Sequence, residues 1–256
     1  MNIGFEFIKY SLIAKGRHGI HSPFVYNLID QVLRKPISEE VKSRQNRLFK
    51  ALKNDATIIN FEEFGAGSKH LKKQRSVKQI VATNSTKNNY GNLLYRLMEA
   101  YKPMNVLEFG TSIGCGTLQL HWGNPEAQLI SIEACKETYE FAKKTMEQHQ
   151  ISNHIQLINS TFNDFLEGEI HKKFDLVFID GHHDGKCLID YVKKLEKHTH
   201  NDTIFILDDI RWSMDMLNAW NTLVNDEQYH LSIDFFKMGV LIRQSNKRKE
   251  HFILRK

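Results

Sequence analysis

Residues 104–116, Met-Asn-Val-Leu-Glu-Phe-Gly-Thr-Ser-Ile-Gly-Cys-Gly, join an apolar run to a glycine-punctuated turn, with one acid, Glu108, just before it. Glycines at Gly110, Gly114 and Gly116 let the backbone turn tightly and approach a ligand where a Cβ would collide. The helix-forming run Thr117–Trp122 follows directly. The stretch therefore reads as the first strand, loop and helix of a nucleotide-binding α/β fold. A dinucleotide fingerprint would be G-x-G-x-x-G, whereas here the second glycine falls four residues after the first. That spacing argues against a nicotinamide oxidoreductase.

The downstream sequence repeats the pattern. Ala127–Glu133 is a second strand-like run ending in an acid, 23 residues after Gly110. An acid at that distance suits both hydroxyls of a cofactor ribose. Residues 136–149 have helical spacing and fit a crossover. Further strands are expected at Ile155–Ile158, Phe174–Asp180 and Thr203–Asp209, whose nearly unbroken apolar runs suit burial on both faces. Leu231–Phe236 and Gly239–Arg243 are separated only by Lys237-Met238, too short a gap for a crossover. That pair must be antiparallel.

With an acid two residues before Gly110, residues 104–116 resemble motif I of the class I S-adenosylmethionine-dependent methyltransferases, and the order of the later strands matches. The resemblance spans about residues 86–243. It implies a Rossmann-like α/β fold: a seven-stranded, mostly parallel sheet with an antiparallel C-terminal hairpin and a helical N-terminal extension. It also implies cofactor-binding residues. Gly110, Thr111 and Ser112, in the turn closed by Gly114, would cradle the methionine moiety, with Glu108 near its ammonium group. Glu133 would hold the ribose, and Ser160 or Thr161 would border the adenine.

A narrower resemblance rests on two strand ends. Phe174–His183 (FDLVFIDGHH) is similar to the I-D-G-x-H segment of the catechol-type small-molecule O-methyltransferases. By that resemblance Asp180 is a metal ligand, joined by Asp208 and Asp209, where the family usually has Asp-Asn. Three oxygen ligands would suit Mg²⁺ or Ca²⁺, which could hold a substrate hydroxyl and lower its pKa. Asp180 and His183 are then the catalytic candidates, His183 standing where a lysine is common and serving as general base. Without a metal, Asp180 would only bond cofactor or substrate, Asp208 would end its strand and Asp209 would cap a helix. No N-P-P-Y-like tetrapeptide follows the fourth strand, which favours an oxygen acceptor.

Composition agrees with a globular enzyme: 256 residues, 41% hydrophobic and 25% charged. No apolar run approaches the roughly 18 residues that span a bilayer. The N-terminus carries Glu6 and Lys9 within its apolar part, unlike a signal peptide. Cys115, Cys135 and Cys187 form no C-x-x-C pair, so neither a disulfide framework nor a zinc site is expected. A cytoplasmic location with free thiols follows.

Charge is uneven: +9 over residues 1–100, −9 over 101–242 and +5 over 243–256. Residues 244–256 read as a basic tail, and residues 1–85 as a helical extension or lid, with helices at Phe5–Ala14, Pro23–Arg34 and Ser38–Leu52. Lys87–Tyr101 carries an apolar stripe suited to the sheet. The basic ends are compatible with solvated helix faces, or with an RNA acceptor in place of a small molecule. Phe64–Ser68 (FGAGS) resembles a cofactor loop but lacks a second strand ending in an acid, so it reads as a structural turn. His18–Phe24 (HGIHSPF) resembles a segment of bacterial methyltransferases and suits a loop over a site, with His18 and His21 as loop or capping residues. The leading expectation is methyl transfer from S-adenosylmethionine to a small-molecule hydroxyl. RNA or protein methylation and a non-catalytic nucleotide-binding module are the alternatives, and a homodimer is one open oligomeric state.

Overall fold

The computed structural model describes residues 1–16, 19–61, 74–83, 89–149, 151, 153–243 and 248–255. The Phe64–Ser68 turn, His18 and the start of the Lys87 helix lie outside these residues.

The N-terminal third is helical for local reasons. Helix α1 (Ile3–Ile13) is capped by Asn2, whose side chain accepts from the N–H groups of Gly4 and Phe5. Helix α2 (Pro23–Asn27) opens on its proline and continues as a wider π-helical stretch, Leu28–Leu33. Helix α3 (Glu39–Asn54) starts at Ser38, whose hydroxyl accepts from Val41 N–H, with Glu39 and Glu40 at the positive end of its dipole. A short antiparallel pair, β1 (Ile58–Asn60) and β2 (Gln74–Ser76), and helix α4 (Val77–Thr83) were not expected from the sequence. Three-residue strands carry too little periodicity to show. Helix α5 (Asn89–Tyr101) buries Leu93, Leu94, Leu97 and Met98, the expected stripe.

The main sheet starts with β3 (Asn105–Phe109), followed by α6 (Cys115–Gly123) and β4 (Gln128–Glu133). Next come α7 (Lys136–Gln148), β5 (Ile155–Asn159), α8 (Phe162–Glu167) and β6 (Phe174–Ile179). Helix α9 (Gly185–Leu195) leads to β7 (Thr199–Leu207), and α10 (Met214–Asn225) to β8 (Leu231–Asp234) and β9 (Gly239–Ile242). Strands β5, β4, β3, β6 and β7 are parallel neighbours in that order, and β9 is antiparallel to both β7 and β8. The fold is thus α/β, as expected, with the expected antiparallel hairpin. It departs in one respect. The segment read as a basic tail supplies an eighth strand, β10 (Glu250–Ile253), parallel to β8 at the sheet edge.

Alternation along the strands builds two cores. Val106, Leu176, Phe178, Ile204 and Ile206 face one side, while Leu107, Phe109, Val177, Phe205 and Leu207 face the other. The first core also contains Val25, Leu48, Val81 and Leu94, so the N-terminal helices form one of the layers on the sheet. The second is closed by Tyr191 of α9 and Trp220 of α10. The chain ends meet as well. Tyr10 Oη donates to the Leu254 carbonyl, Lys15 bridges Leu254, and Ser22 Oγ donates to Glu250 Oε2 at 2.8 Å. The last of these ties Ser22 of the HGIHSPF segment to the C-terminal strand.

Gly239 tests the second core. A Cβ there would lie 2.4 Å from Cζ3 of the buried Trp220 ring. Gly239→Ala is expected to destabilise the fold by about 1–3 kcal/mol. Urea unfolding should show a lower midpoint with an unchanged m-value.

Candidate active site

Strand β3 lies between β4 and β6, so successive connections leave it in opposite directions and open a crevice at its carboxyl end. Gly110 sits at that point with φ +101°, and a Cβ on it would lie 2.0 Å from the Asp180 carbonyl oxygen. Only glycine fits there. Its N–H donates to the Ile132 carbonyl at 3.0 Å, and Asp180 N–H donates to the Phe109 carbonyl at 2.8 Å. Ser112 also has positive φ, and Gly114, in the left-handed region, caps α6.

The crevice is a cavity of about 310 Å³ lined by Gly110, Ser112, Glu133, Thr161, Phe162 and Asp180, among others. Glu133 accepts from Ser112 N–H at 2.8 Å and Cys135 N–H at 2.9 Å, one to each oxygen. Burial raises its pKa, and those backbone hydrogen bonds draw it partly back. Lone pairs remain on both oxygens for a pair of hydroxyls. Thr161 caps α8, accepting from Asp164 N–H. The opposite wall is aromatic. Phe162 stacks on Phe109 with centroids 4.5 Å apart, and Tyr191 meets Phe162 edge-on at 5.6 Å. His182 Nδ1 lies 2.5 Å from Tyr191 Oη.

Four of the expected cofactor residues, Glu108, Thr111, Gly114 and Ser160, stand outside the cavity wall. Glu108 is wholly buried between α6 and β4. Its Oε2 accepts from Thr117 Oγ1 at 2.5 Å and Ser131 Oγ at 2.6 Å, while Oε1 has no hydrogen-bond partner. It points into the core because the alternation of β3 turns it away from the crevice, and burial pushes its pKa up to about 7. Thr111 is buried, with its hydroxyl 2.5 Å from Ser131 Oγ. Ser160 donates to the Thr161 carbonyl at 3.0 Å. Gly114 acts through the backbone of the turn. None of the described residues of the HGIHSPF segment lines the cavity, whereas Phe61, after β1, does. Phe61, Phe162, Tyr191 and His182 were not singled out from the sequence, since isolated aromatics there carry no spacing signal.

Beside the cavity, at the ends of β6 and β7, lies a cluster of titratable groups. Single donor atoms of Asp180, His183 and Asp209 all fall within 4.8 Å of one another. Asp208, expected as the second metal ligand, is not in this set, and its Oδ1 accepts from Asp209 N–H at 2.8 Å. Asp209 has φ 52°, a turn that swings its side chain toward the cavity end. Lys237, from the turn between β8 and β9, reaches the same place, with Nζ 3.0 Å from Asp209 Oδ1. Burial, then repulsion from Asp208 and Asp209, holds the Asp180 pKa well above the carboxylate range, against the pull of Lys237. Burial alone would lower the Lys237 pKa, but Asp209, Asp208 and Asp180 outweigh it and the ammonium is favoured. For His183, burial with Lys237 nearby outweighs Asp209 and lowers the pKa, leaving a neutral imidazole near pH 7. Its Nε2 is 3.7 Å from Asp209 Oδ2, and its ring lies 5.1 Å from that of Trp212.

A divalent cation at this donor set would meet Asp180, His183 and Asp209. Two carboxylates and an imidazole have suitable chemistry, yet Asp209 already holds an ammonium on Oδ1, and a dication beside it would be repelled. The residues as they stand do not fit the ion.

The sequence profile described as O-methyltransferase matches residues 67–246. No curated protein matches in sequence. Among solved structures, the S-adenosylhomocysteine-bound methyltransferase of Podospora anserina is 16% identical, with TM-score 0.57 over 82% of this chain and 97% of that one. The O-methyltransferase of Bacillus cereus, also with S-adenosylhomocysteine, is 16% identical, with TM-score 0.54 over 80% and 92%. The O-methyltransferase TomG of Streptomyces achromogenes, with S-adenosylmethionine, is 15% identical, with TM-score 0.53 over 60% and 79%. At these identities the likeness carries the fold, which is Rossmann-like.

The buried Glu108 generates a pH dependence of stability. Its folded pKa of about 7 lies above the ordinary 4.5, so between these values the folded chain holds a proton that the unfolded chain has released. Stability should therefore fall as pH rises through this window, by about 3 kcal/mol in all. Urea denaturation across that range should show the slope in the wild type and its loss in Glu108→Gln.

Proposed function

Because the chain belongs to the O-methyltransferase family, we propose that its crevice at the ends of β3, β4 and β6 seats S-adenosylmethionine and that the adjoining cluster receives a small-molecule hydroxyl. One observation carries this reading: Asp180 both lines the cavity and belongs to the titratable cluster. A methyl donor in the first is then next to a proton acceptor in the second. In-line transfer requires that adjacency.

The cavity residues fit the cofactor. Gly110 lets the turn pass directly against the Asp180 carbonyl, Ser112 holds Glu133 by its N–H, and Glu133 keeps lone pairs for the ribose hydroxyls. When bound, the cofactor supplies an electrophilic methyl on a sulfonium sulfur, which the acceptor oxygen takes as the C–S bond breaks. The chain's own residues handle the proton. Neutral His183 accepts the hydroxyl proton at Nε2, and Asp209, 3.7 Å away, stabilises the imidazolium that results. Contact with Trp212 fixes the ring plane. Asp180, beside both chambers, orients the acceptor. Residues 1–85 supply a wall through Phe61, held by Asn60, whose N–H and side chain each donate to Glu137 at 2.7 Å.

Calorimetric titration with S-adenosylhomocysteine tests the cofactor seat. Micromolar binding by the wild type is expected, with loss in Gly110→Val and Glu133→Ala. Absence of wild-type binding, or unchanged affinity in both variants, would overturn the assignment. Against a panel of phenolic and aliphatic hydroxyl acceptors, His183→Ala should lower turnover by about 10²–10⁴-fold while leaving S-adenosylhomocysteine affinity intact.

A further inference from the structure

The turn between β8 and β9 is held far more firmly than a surface hairpin requires. Arg211 donates from Nη1 and Nη2 to the two Asp234 oxygens, at 2.8 and 2.6 Å, and from Nη1 to the Phe236 carbonyl at 2.7 Å. Asp234 Oδ1 accepts from Phe236 N–H at 2.7 Å, and Phe235 N–H donates to the Met238 carbonyl at 2.9 Å. Tyr90 Oη donates to the Phe235 carbonyl at 3.1 Å. Phe236 itself has φ 73°, a strained value for an aromatic residue, and is packed by Phe7 and Tyr10 with centroids 5.0 and 5.2 Å away. These contacts hold the backbone on either side of Lys237. The Lys237 carbonyl accepts from Ile210 N–H at 3.0 Å, so Asp209 and Lys237 are pinned together through the backbone one residue beyond the acid. The ammonium is then delivered to Asp209 Oδ1 at 3.0 Å, among Asp180, Asp208 and Asp209.

We infer that Lys237 takes the place of the divalent cation, so that its ammonium is the resident positive charge of the acceptor site and methyl transfer proceeds without a metal. The inference rests on the methyltransferase reading given above. An ammonium in this position does two things. It lets several carboxylates share one buried corner, and it offers donor protons to the acceptor oxygen as that oxygen loses its own proton to His183. Charge is conserved at each point: the proton moves from oxygen to imidazole, the methyl moves from sulfur to oxygen, and the lysine keeps its proton throughout. Lys237 is in this sense an electrostatic catalytic residue.

The test is titration of the S-adenosylhomocysteine-bound protein with MgCl₂ by calorimetry, for the wild type, Lys237→Arg and Lys237→Met. The wild type and Lys237→Arg should show no saturable Mg²⁺ binding, and wild-type turnover should be the same in EDTA. Lys237→Met, with the ammonium removed from an acidic corner, should gain Mg²⁺ affinity on the order of ten-fold or more. Its melting temperature should then rise on adding MgCl₂. Stoichiometric Mg²⁺ binding by the wild type, or turnover abolished by EDTA and restored by MgCl₂, would overturn the inference whether or not Lys237→Met folds. Failure of a folded Lys237→Met to gain affinity would overturn it too. Failure of the wild type to bind S-adenosylhomocysteine would instead remove the methyltransferase reading on which the inference stands.

Discussion

The approach of Gly110 to the Asp180 carbonyl is the contact on which the functional half of the molecule depends. The two chain segments pass so closely that a methyl group cannot lie between them. Parallel pairing of β3 with β6 brings them to the same level, and the Asp180 N–H to Phe109 carbonyl bond locks the register at the strand ends. From this crossing point the polypeptide diverges, one way into the turn before α6 and the other toward the two histidines. The cavity on one side and the acidic cluster on the other are the two consequences. A shift of one residue in β3 or β6 would turn the functional side chains to the opposite face of the sheet.

Acids crowd the carboxyl ends of the parallel strands, and the protein satisfies each in a different way. Glu108, in the dry interior, receives two hydroxyls and gains proton affinity. Glu133 is held by backbone N–H groups. Asp234 has a bidentate guanidinium, the strongest of these arrangements because two aligned charge-assisted bonds replace its hydration. Asp209 has an ammonium and a neighbouring imidazole. Removing a partner from such a buried pair costs more than the pair contributes, since the remaining charge is stranded away from water. These pairings therefore constrain geometry more than they add stability.

The N-terminal region has a structural part in this. Its helices share one buried core with the sheet, and α1 packs against the turn that carries Lys237 while its Tyr10 bonds the C-terminal strand. Both chain ends therefore bear on the turn that carries Lys237. Among the described residues, no helix is long and apolar enough to cross a membrane.

What the sequence determined by itself was whatever depends on local order. Glycine spacing after β3, an acid closing β4, apolar runs of strand length and a two-residue gap before β9 specified the α/β sheet, its direction changes and the crevice with Gly110, Ser112, Glu133, Thr161 and Asp180 on its wall. Glu108, read as a cofactor residue, is buried against Thr117 and Ser131 and off the cavity wall, since its direction depends on which side of β3 the crevice opens. Helix α4 and strands β1, β2 and β10 are too short or too charged to show a period; β1 and β2 complete each other's hydrogen bonds, α4 starts against the carbonyls of Asp55 and Thr57, and β10 pairs with β8 at the sheet edge. Tertiary structure alone decided the composition of the acidic corner. His183 joined Asp180 and Asp209, Asp208 turned to its neighbour's backbone, and Lys237, a spacer residue in the sequence, arrived from a distant hairpin. No spacing rule connects positions 180, 209 and 237. They meet because three strands end at one edge and a rigid turn reaches over it.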